Sequence, residues 1–376
     1  MPAPAQPAHV PELSAGWEPI AVANAAEVYA FLTRVQKHDG APFRTSFEEV
    51  ESFFDPARAY YAFGRRGPGG ELVAFGLVRS FGVGSGRPSV ILSGAVHPQA
   101  HNQLVAELAS QQLWAARQLV AAGELGNFEN QTAAKDSASP AAAVAVTHVE
   151  PWESERALEL AALGFQHAYS YVQMRRYLHD ELPPLRVPKG VELVELSPKY
   201  DALALATHNS FHTEKLDYTI MTPEQWAAER TYLARDWSFL ALDTRGDRPR
   251  VLGYLIAAKY EQDWETLGWP EGYVDELAVH GGAEITSALL IASMTAQKAA
   301  GMRYTSMDVT VNRFPAGSRA ADAGTCAADA GENNSGANNN DAAAKTGPED
   351  TAERVARYKK LGFSPATETR VFLKQL

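Results

Sequence analysis

Two adjacent carboxylates, Asp275 and Glu276, stand inside the apolar run Tyr273 to His280. Strand alternation puts them on opposite faces. Asp275 then shares a face with Glu271, Tyr273 and Leu277, and Glu276 with Val274 and Ala278. A carboxylate among apolar neighbours has a raised pKa, which suits a proton acceptor near neutral pH and slightly favours Glu276. The plain alternative is that both decorate a partly exposed strand. Gly281 and Gly282 follow, directly before a helix expected from about Glu284 to Ala300. Amides at a helix start can hold phosphate, and glycine lets that backbone come close. Glu284 suits the helix dipole but repels an anion; a tight strand-to-helix turn explains the glycine pair equally. His208 and His212 are four apart, a spacing that can bind metal on one helix face. No third ligand lies at a telling distance, so no metal is expected. Asn312 ends a strand-like run, where a lone asparagine often forms a turn.

The chain of 376 residues favours two domains. Apolar residues make up 45% and charged ones 21%, enough to bury a core. The net charge of −11 argues against a general nucleic-acid binder. Cys326 is the single cysteine, so neither an internal disulfide nor a cysteine metal cluster is expected. It lies in a segment rich in Ala, Asp, Asn and Gly, a poor setting for a positioned nucleophile. No apolar run approaches the length of a membrane span. Residues 1–16 are rich in Pro and Ala and lack the basic start and apolar stretch of a secretory signal. They are expected to be disordered, and the protein to be cytoplasmic.

The elements that must carry these residues occur twice. Residues 158–165 end in Leu-Gly-Phe, and so do residues 356–363. Each is a helix-like stretch closed by glycine and followed by a strand-like run, 167–177 and 366–374. Upstream, Val96-His97 and Val279-His280 each end an apolar run. Earlier still, the hairpin-like pairs 59–63 with 72–80 and 237–242 with 251–259 correspond. Ser46 with Glu49, and Thr222 with Gln225, read as capping boxes, and Pro223 suits a first helical position. Each half then reads strand, helix, helix, two or three strands, helix, strand, helix, strand. The expected units are 17–178 and 190–376, joined by a proline-rich linker at 179–189. Segments 121–142 and 319–350 fall outside the repeat; both are expected to be surface insertions, the second disordered.

The run Tyr-Val-Asp-Glu-Leu-Ala-Val-His, the following helix, the strand Tyr304 to Asn312 and the ending Tyr358-Lys-Lys-Leu-Gly-Phe resemble the Gcn5-related N-acetyltransferase (GNAT) family. The tandem arrangement resembles that of mycothiol synthase, although no residue singles out that enzyme's glycosidic amine. The resemblance implies an α/β fold with a mixed sheet, duplicated in tandem. It also implies a fourth strand that splays from the fifth, with acetyl-CoA as co-substrate in the gap. Leu277, Val279, Gly281, Gly282 and Asn312 are then expected on the cofactor, the strand residues through backbone amides that meet the thioester oxygen. Asp275 or Glu276 is expected as the base that frees the attacking amine, and Tyr358 as the acid that protonates the leaving thiolate. Without the resemblance, Tyr358 reads as a core aromatic, three residues after Val355 on one helix face. The corresponding place in the first half holds Leu160, which cannot donate a proton.

The expected function is acyl-CoA-dependent acetylation of a small-molecule amine by the C-terminal half, with the N-terminal half a degenerate structural partner. The family's phosphate-loop pattern, Arg/Gln-x-x-Gly-x-Gly/Ala, is absent from both halves: His101, Asn102 and Leu104 stand at its places in the first, and the second loop is about three residues shorter. That loss motivates the alternative, a catalytically silent tandem module that binds a ligand or partner. No nucleic-acid, membrane or metal partner is expected, and the assembly is a monomer or a homodimer.

Overall fold

The computed structural model describes residues 13–56, 59–81, 89–100, 103–122, 143–212, 221–228, 230–246, 250–280, 282–311 and 348–376. The first half runs β1 (Trp17–Pro19), α1 (Ala25–Asp39), α2 (Phe47–Ser52), β2 (Tyr60–Arg66), β3 (Leu72–Phe81), β4 (Ser89–Val96), α3 (Gln103–Ala121), β5 (Val144–Val149), α4 (Ser154–Ala162) and β6 (Gln166–Tyr177). The second repeats this as β7 (Val191–Glu195), α5 (Asp201–His212), α6 (Pro223–Ala228), β8 (Phe239–Asp243), β9 (Arg250–Ala258), β10 (Glu271–Val279), α8 (Ala283–Ala299), β11 (Tyr304–Val311), α9 (Pro348–Lys360) and β12 (Ser364–Gln375). It adds α7 (Glu261–Leu267) between β9 and β10, which the expected element order lacks. Segment 121–142 lies outside the described residues apart from Ala121 and Ala122, and so does Cys326. Helix α9 begins at Pro348, so the last three residues of the expected insertion 319–350 belong to a helix.

Local signals account for several element ends. Ser46 Oγ accepts from Glu49 N at 3.1 Å and Glu49 Oε2 accepts from Ser46 N at 2.6 Å, the reciprocal cap expected for α2. Pro223 is the first residue of α6. Gly164 and Gly362 follow α4 and α9 with φ of +82° and +85°.

The twelve strands among the described residues form one mixed sheet in the order β1-β2-β3-β4-β5-β12-β6-β11-β10-β9-β8-β7. The halves exchange their last strands: β12 pairs with β5 of the first half, and β6 pairs with β11 of the second. The two exchanged strands also pair with each other, from Ser364↔Arg175 to Leu373↔Gln166. Arg176 of β6 reinforces the crossover by donating to the Leu361 carbonyl at the end of α9.

Each half buries a core on both faces of the sheet. In the first, α1 and α2 cover one face through Phe31, Val50 and Phe75, while α3 and α4 cover the other through Leu113, Leu119 and Leu160. In the second, α5 and α6 pack Leu205 and Trp226 on Tyr254, and α8 and α9 pack Leu289, Met294 and Tyr358 on Met307.

Both halves share one departure from a regular sheet. The parallel pair β4–β5 is held from Ser89↔Val144 to Leu92↔Thr147 and then opens. The pair β10–β11 is held from Glu271↔Tyr304 to Val274↔Met307 and then opens. Gly94 lies just past the first opening with φ of +145°, where an added Cβ would come within 2.2 Å of the Phe75 carbonyl oxygen. Gly94→Ala is expected to destabilise by at least about 1–3 kcal/mol, read from the shift in a urea midpoint. An unchanged midpoint would mean that this strand bends without glycine.

Candidate active site

The site begins where β10 parts from β11. Val274 and Met307 form the last pair, so Asp275 and Asp308 are the first residues on either side of the gap. The β9–β10 register shifts between Val274 and Glu276, a bulge that places Asp275 outside the regular ladder. The bulge overturns the expected alternation. Val274, Leu277 and Val279 pack on the α8 core, whereas Ala278 packs on the α5 core. Leu277 thus joins the face of Val274 rather than that of Asp275.

Glu276 turns to the α5 side and is consumed by structure. Its Oε2 lies 3.0 Å from His208 Nδ1 and accepts from Tyr254 Oη at 2.9 Å, and its Oε1 accepts from Arg230 Nη2 at 2.6 Å. Burial alone would raise its pKa, but the His208 hydrogen bond, the Arg230 charge and the Tyr254 hydroxyl outweigh it and hold the carboxyl near about 2. The expectation of a raised pKa among apolar neighbours is therefore corrected: charged and polar partners from three elements surround Glu276. His208, the other candidate read from its spacing, is fully buried against this carboxylate.

Asp275 faces an open cleft of about 540 Å³ that runs between the halves. The second half contributes Tyr260, Asp263, Trp264, Glu271, Tyr273 and Asp308. The first contributes Phe43, Arg44, Glu49, Phe53, Arg79 and Glu150. Tyr260 Oη donates to Asp275 Oδ1 at 3.4 Å, and Tyr273 donates to Asp308. Desolvation raises the pKa of Asp308 against that hydrogen bond. It pushes Asp263 up to about 6, although Arg44 N donates to its carboxylate at 2.6 Å. It also raises Tyr260 and Tyr273, aided by the neighbouring carboxylates, so both stay protonated donors. The arginines are engaged: Arg175 pairs with Glu271, its Nη2 donating to Oε1 at 3.2 Å, Arg44 donates to the Ala41 and Phe43 carbonyls, and Arg79 lies over Phe53. The cleft is therefore an acidic, aromatic hollow, fit to receive a cationic amine. A larger hollow of about 1250 Å³, walled by Leu205, Trp226 and Trp237, includes no residue of β10 or β11.

On the other side of the gap, Tyr358 is 5% exposed and packs with Val274, Leu277, Val279 and Val309, residues from both parting strands. Its ring meets Phe363 edge-on at 6.4 Å. Gly282 caps α8 with φ of +99° and no side-chain cap, and among the described residues nothing beyond its chain neighbours lies within 4 Å of where its Cβ would stand. Unpaired amides at such a helix start are the kind of group that holds a phosphate. Gly281 and Asn312 lie outside the described residues.

The first half's gap is crossed by its own side chains. Gln112 Nε2 donates to Ser93 O at 2.6 Å. Arg156 Nη1 reaches Gly94 O at 3.3 Å and Glu153 at 3.0 Å, while Nη2 reaches Thr147 Oγ1 at 2.9 Å. These groups take the strand carbonyls of Ser93 and Gly94, and Gln112 and Arg156 themselves line a hollow of about 320 Å³ with Val96, His97 and Val105. At the matching place in the second half, four residues before Tyr358, Arg354 donates to Thr310 O of its neighbouring strand β11 at 3.2 Å.

No motif marks Asp308, Asp263 or Glu150. The available signal for Asp308 is that it is the lone charged residue of its strand. No such signal marks Glu150, which precedes a proline and reads as a strand end.

No family model matches the chain, and no curated protein matches it in sequence. Solved structures do match. A Gcn5-related N-acetyltransferase from Sphaerobacter thermophilus is 15% identical, with 97% of each chain covered and a TM-score of 0.61. A tandem GNAT protein from the clavulanic acid biosynthesis pathway is 14% identical, over 96% of this chain and 98% of that one, at 0.55. N-myristoyltransferase of Saccharomyces cerevisiae, solved with bound myristoyl-CoA and inhibitors, is 12% identical, over 100% of this chain and 82% of that one, at 0.53. At these identities the likeness is one of fold.

Proposed function

We propose, for a chain with the tandem fold of the Gcn5-related N-acetyltransferases, that it is an acyl-CoA-dependent N-acyltransferase acting on a small-molecule amine, with its second half catalytic. The observation that carries this reading is the opening of β10–β11 at Asp275 and Asp308 into the acidic cleft. The side chains that cross the first half's gap support leaving that half without a catalytic role.

Acetyl-CoA as co-substrate would lie along β10 from Asp275 to Val279, with its phosphates toward Gly282 and the first turn of α8. Bound there, it supplies the thioester as acyl donor. Asp275 attracts the ammonium form of the acceptor, and Asp308 takes its proton. Backbone amides of the parted strand, at Leu277 and Val279, are placed to meet the thioester oxygen. Tyr358, packed under both strands, gives its proton to the departing thiolate.

A CoA-release assay across a panel of amines tests this reading. Release with equimolar acylated amine is expected for at least one amine. Tyr358→Phe is expected to lower kcat by about 10²-fold with little change in KM. An unchanged kcat would remove Tyr358 from the mechanism, and no release with any amine would sink the enzyme reading.

A further inference from the structure

The cleft is not built by the second half alone. Glu150 ends the stretch after β5 of the first half, and it lines the same hollow as Asp275 and Asp308. Its Oε2 accepts from Thr369 Oγ1 of the exchanged strand β12 at 3.0 Å, which fixes the carboxyl in place. The charges of Glu153 and, across the hollow, of Asp308 both oppose ionisation of Glu150. Arg156 is the nearby cation, but its guanidinium is spread over Glu153, Gly94 and Thr147. The walls between the carboxylates carry aromatic faces, Phe43, Tyr260 and Tyr273 among them, which suit methylene groups and ammonium ions.

A monoamine held at Asp308 neutralises one end of this arrangement and leaves Glu150 uncompensated. A molecule with a second cation, a few methylenes away, satisfies both. We infer that the acceptor is an aliphatic diamine or longer polyamine, whose reacting amine sits at Asp308 and whose second ammonium is held by Glu150. The first half then acts as the specificity half of the cleft. Desolvation, only partly opposed by the Thr369 hydrogen bond, pushes Glu150 up to about 7, and a bound cation would draw that value down. The inference rests on the cleft being the acceptor site.

Equilibrium calorimetry on the full chain tests it without requiring turnover. The probes are the three-, four- and five-carbon terminal diamines, with butylamine as the single-charge control. At least one diamine is expected to bind roughly tenfold tighter than butylamine, as for a charge-assisted hydrogen bond. Glu150→Gln is expected to erase that advantage, bringing the diamine down to the level of butylamine, and Glu150→Asp to restore part of it. Equal binding of diamine and monoamine, or a preference that survives Glu150→Gln, would overturn the inference. Diamine binding through Glu150 without CoA release would retain the inference and sink the catalytic reading. Turnover that ignores the second charge would do the reverse.

Discussion

Asp308→Asn is expected to lower kcat by roughly 10²–10⁴-fold, the range for removing a general base. The substitution keeps the shape and the partner, since an amide oxygen still accepts from Tyr273. Asp308 faces open cleft rather than core, so thermal stability should barely move. The pH profile separates a base from a mere contact. Desolvation raises the Asp308 pKa, so activity should rise with pH through a limb above the usual carboxylate range. Asp308→Asn should remove that limb. A variant that keeps both rate and limb would pass the role to Asp275, which stands across the same opening.

The second large effect concerns Glu276. Glu276→Gln removes the charge that neutralises Arg230 and meets His208, both of them buried. Breaking a buried pair from one side costs about 3–5 kcal/mol, read as a drop in the urea midpoint. The pH dependence has a definite sign. The folded-state pKa lies near about 2, below the usual 4.5, so the stabilisation is fully present above 4.5 and fades as pH falls toward 2. Wild type should lose stability across that window and the variant should not. A midpoint unchanged by Glu276→Gln would show that Arg230 and His208 find other partners. If kcat fell with stability intact, Glu276 would instead belong to the reaction.

What the sequence revealed and what it hid divide along the distance between partners. Helix endings at Gly164 and Gly362, the Ser46–Glu49 cap and the doubled element order are local patterns, and they were legible. Helix α7 was legible in principle, because Gly268 ends it in a left-handed conformation, but seven residues give little periodicity. The bulge at Asp275 carries no local mark, yet one extra residue reverses every face that follows it. Glu276 shows the same limit: its partners His208 and Arg230 lie 68 and 46 residues away. A run of apolar neighbours says nothing about a histidine and an arginine arriving from other elements. The exchange of β6 and β12 is longer in range still, and it is what brings Thr369 to Glu150 across 219 residues. The acidic cleft exists only because both halves share one sheet, so neither half's pattern could display it.

Titrating the full chain with acetyl-CoA in a calorimeter tests the central claim most directly, because Arg156 links Gly94 of β4 to Thr147 of β5 across the first half's gap. One site per chain with micromolar affinity is expected, lost when Gly282→Val crowds the start of α8 and kept in Arg156→Ala. No heat at millimolar acetyl-CoA would contradict it, and two equal sites per chain would contradict the assignment of the second half alone.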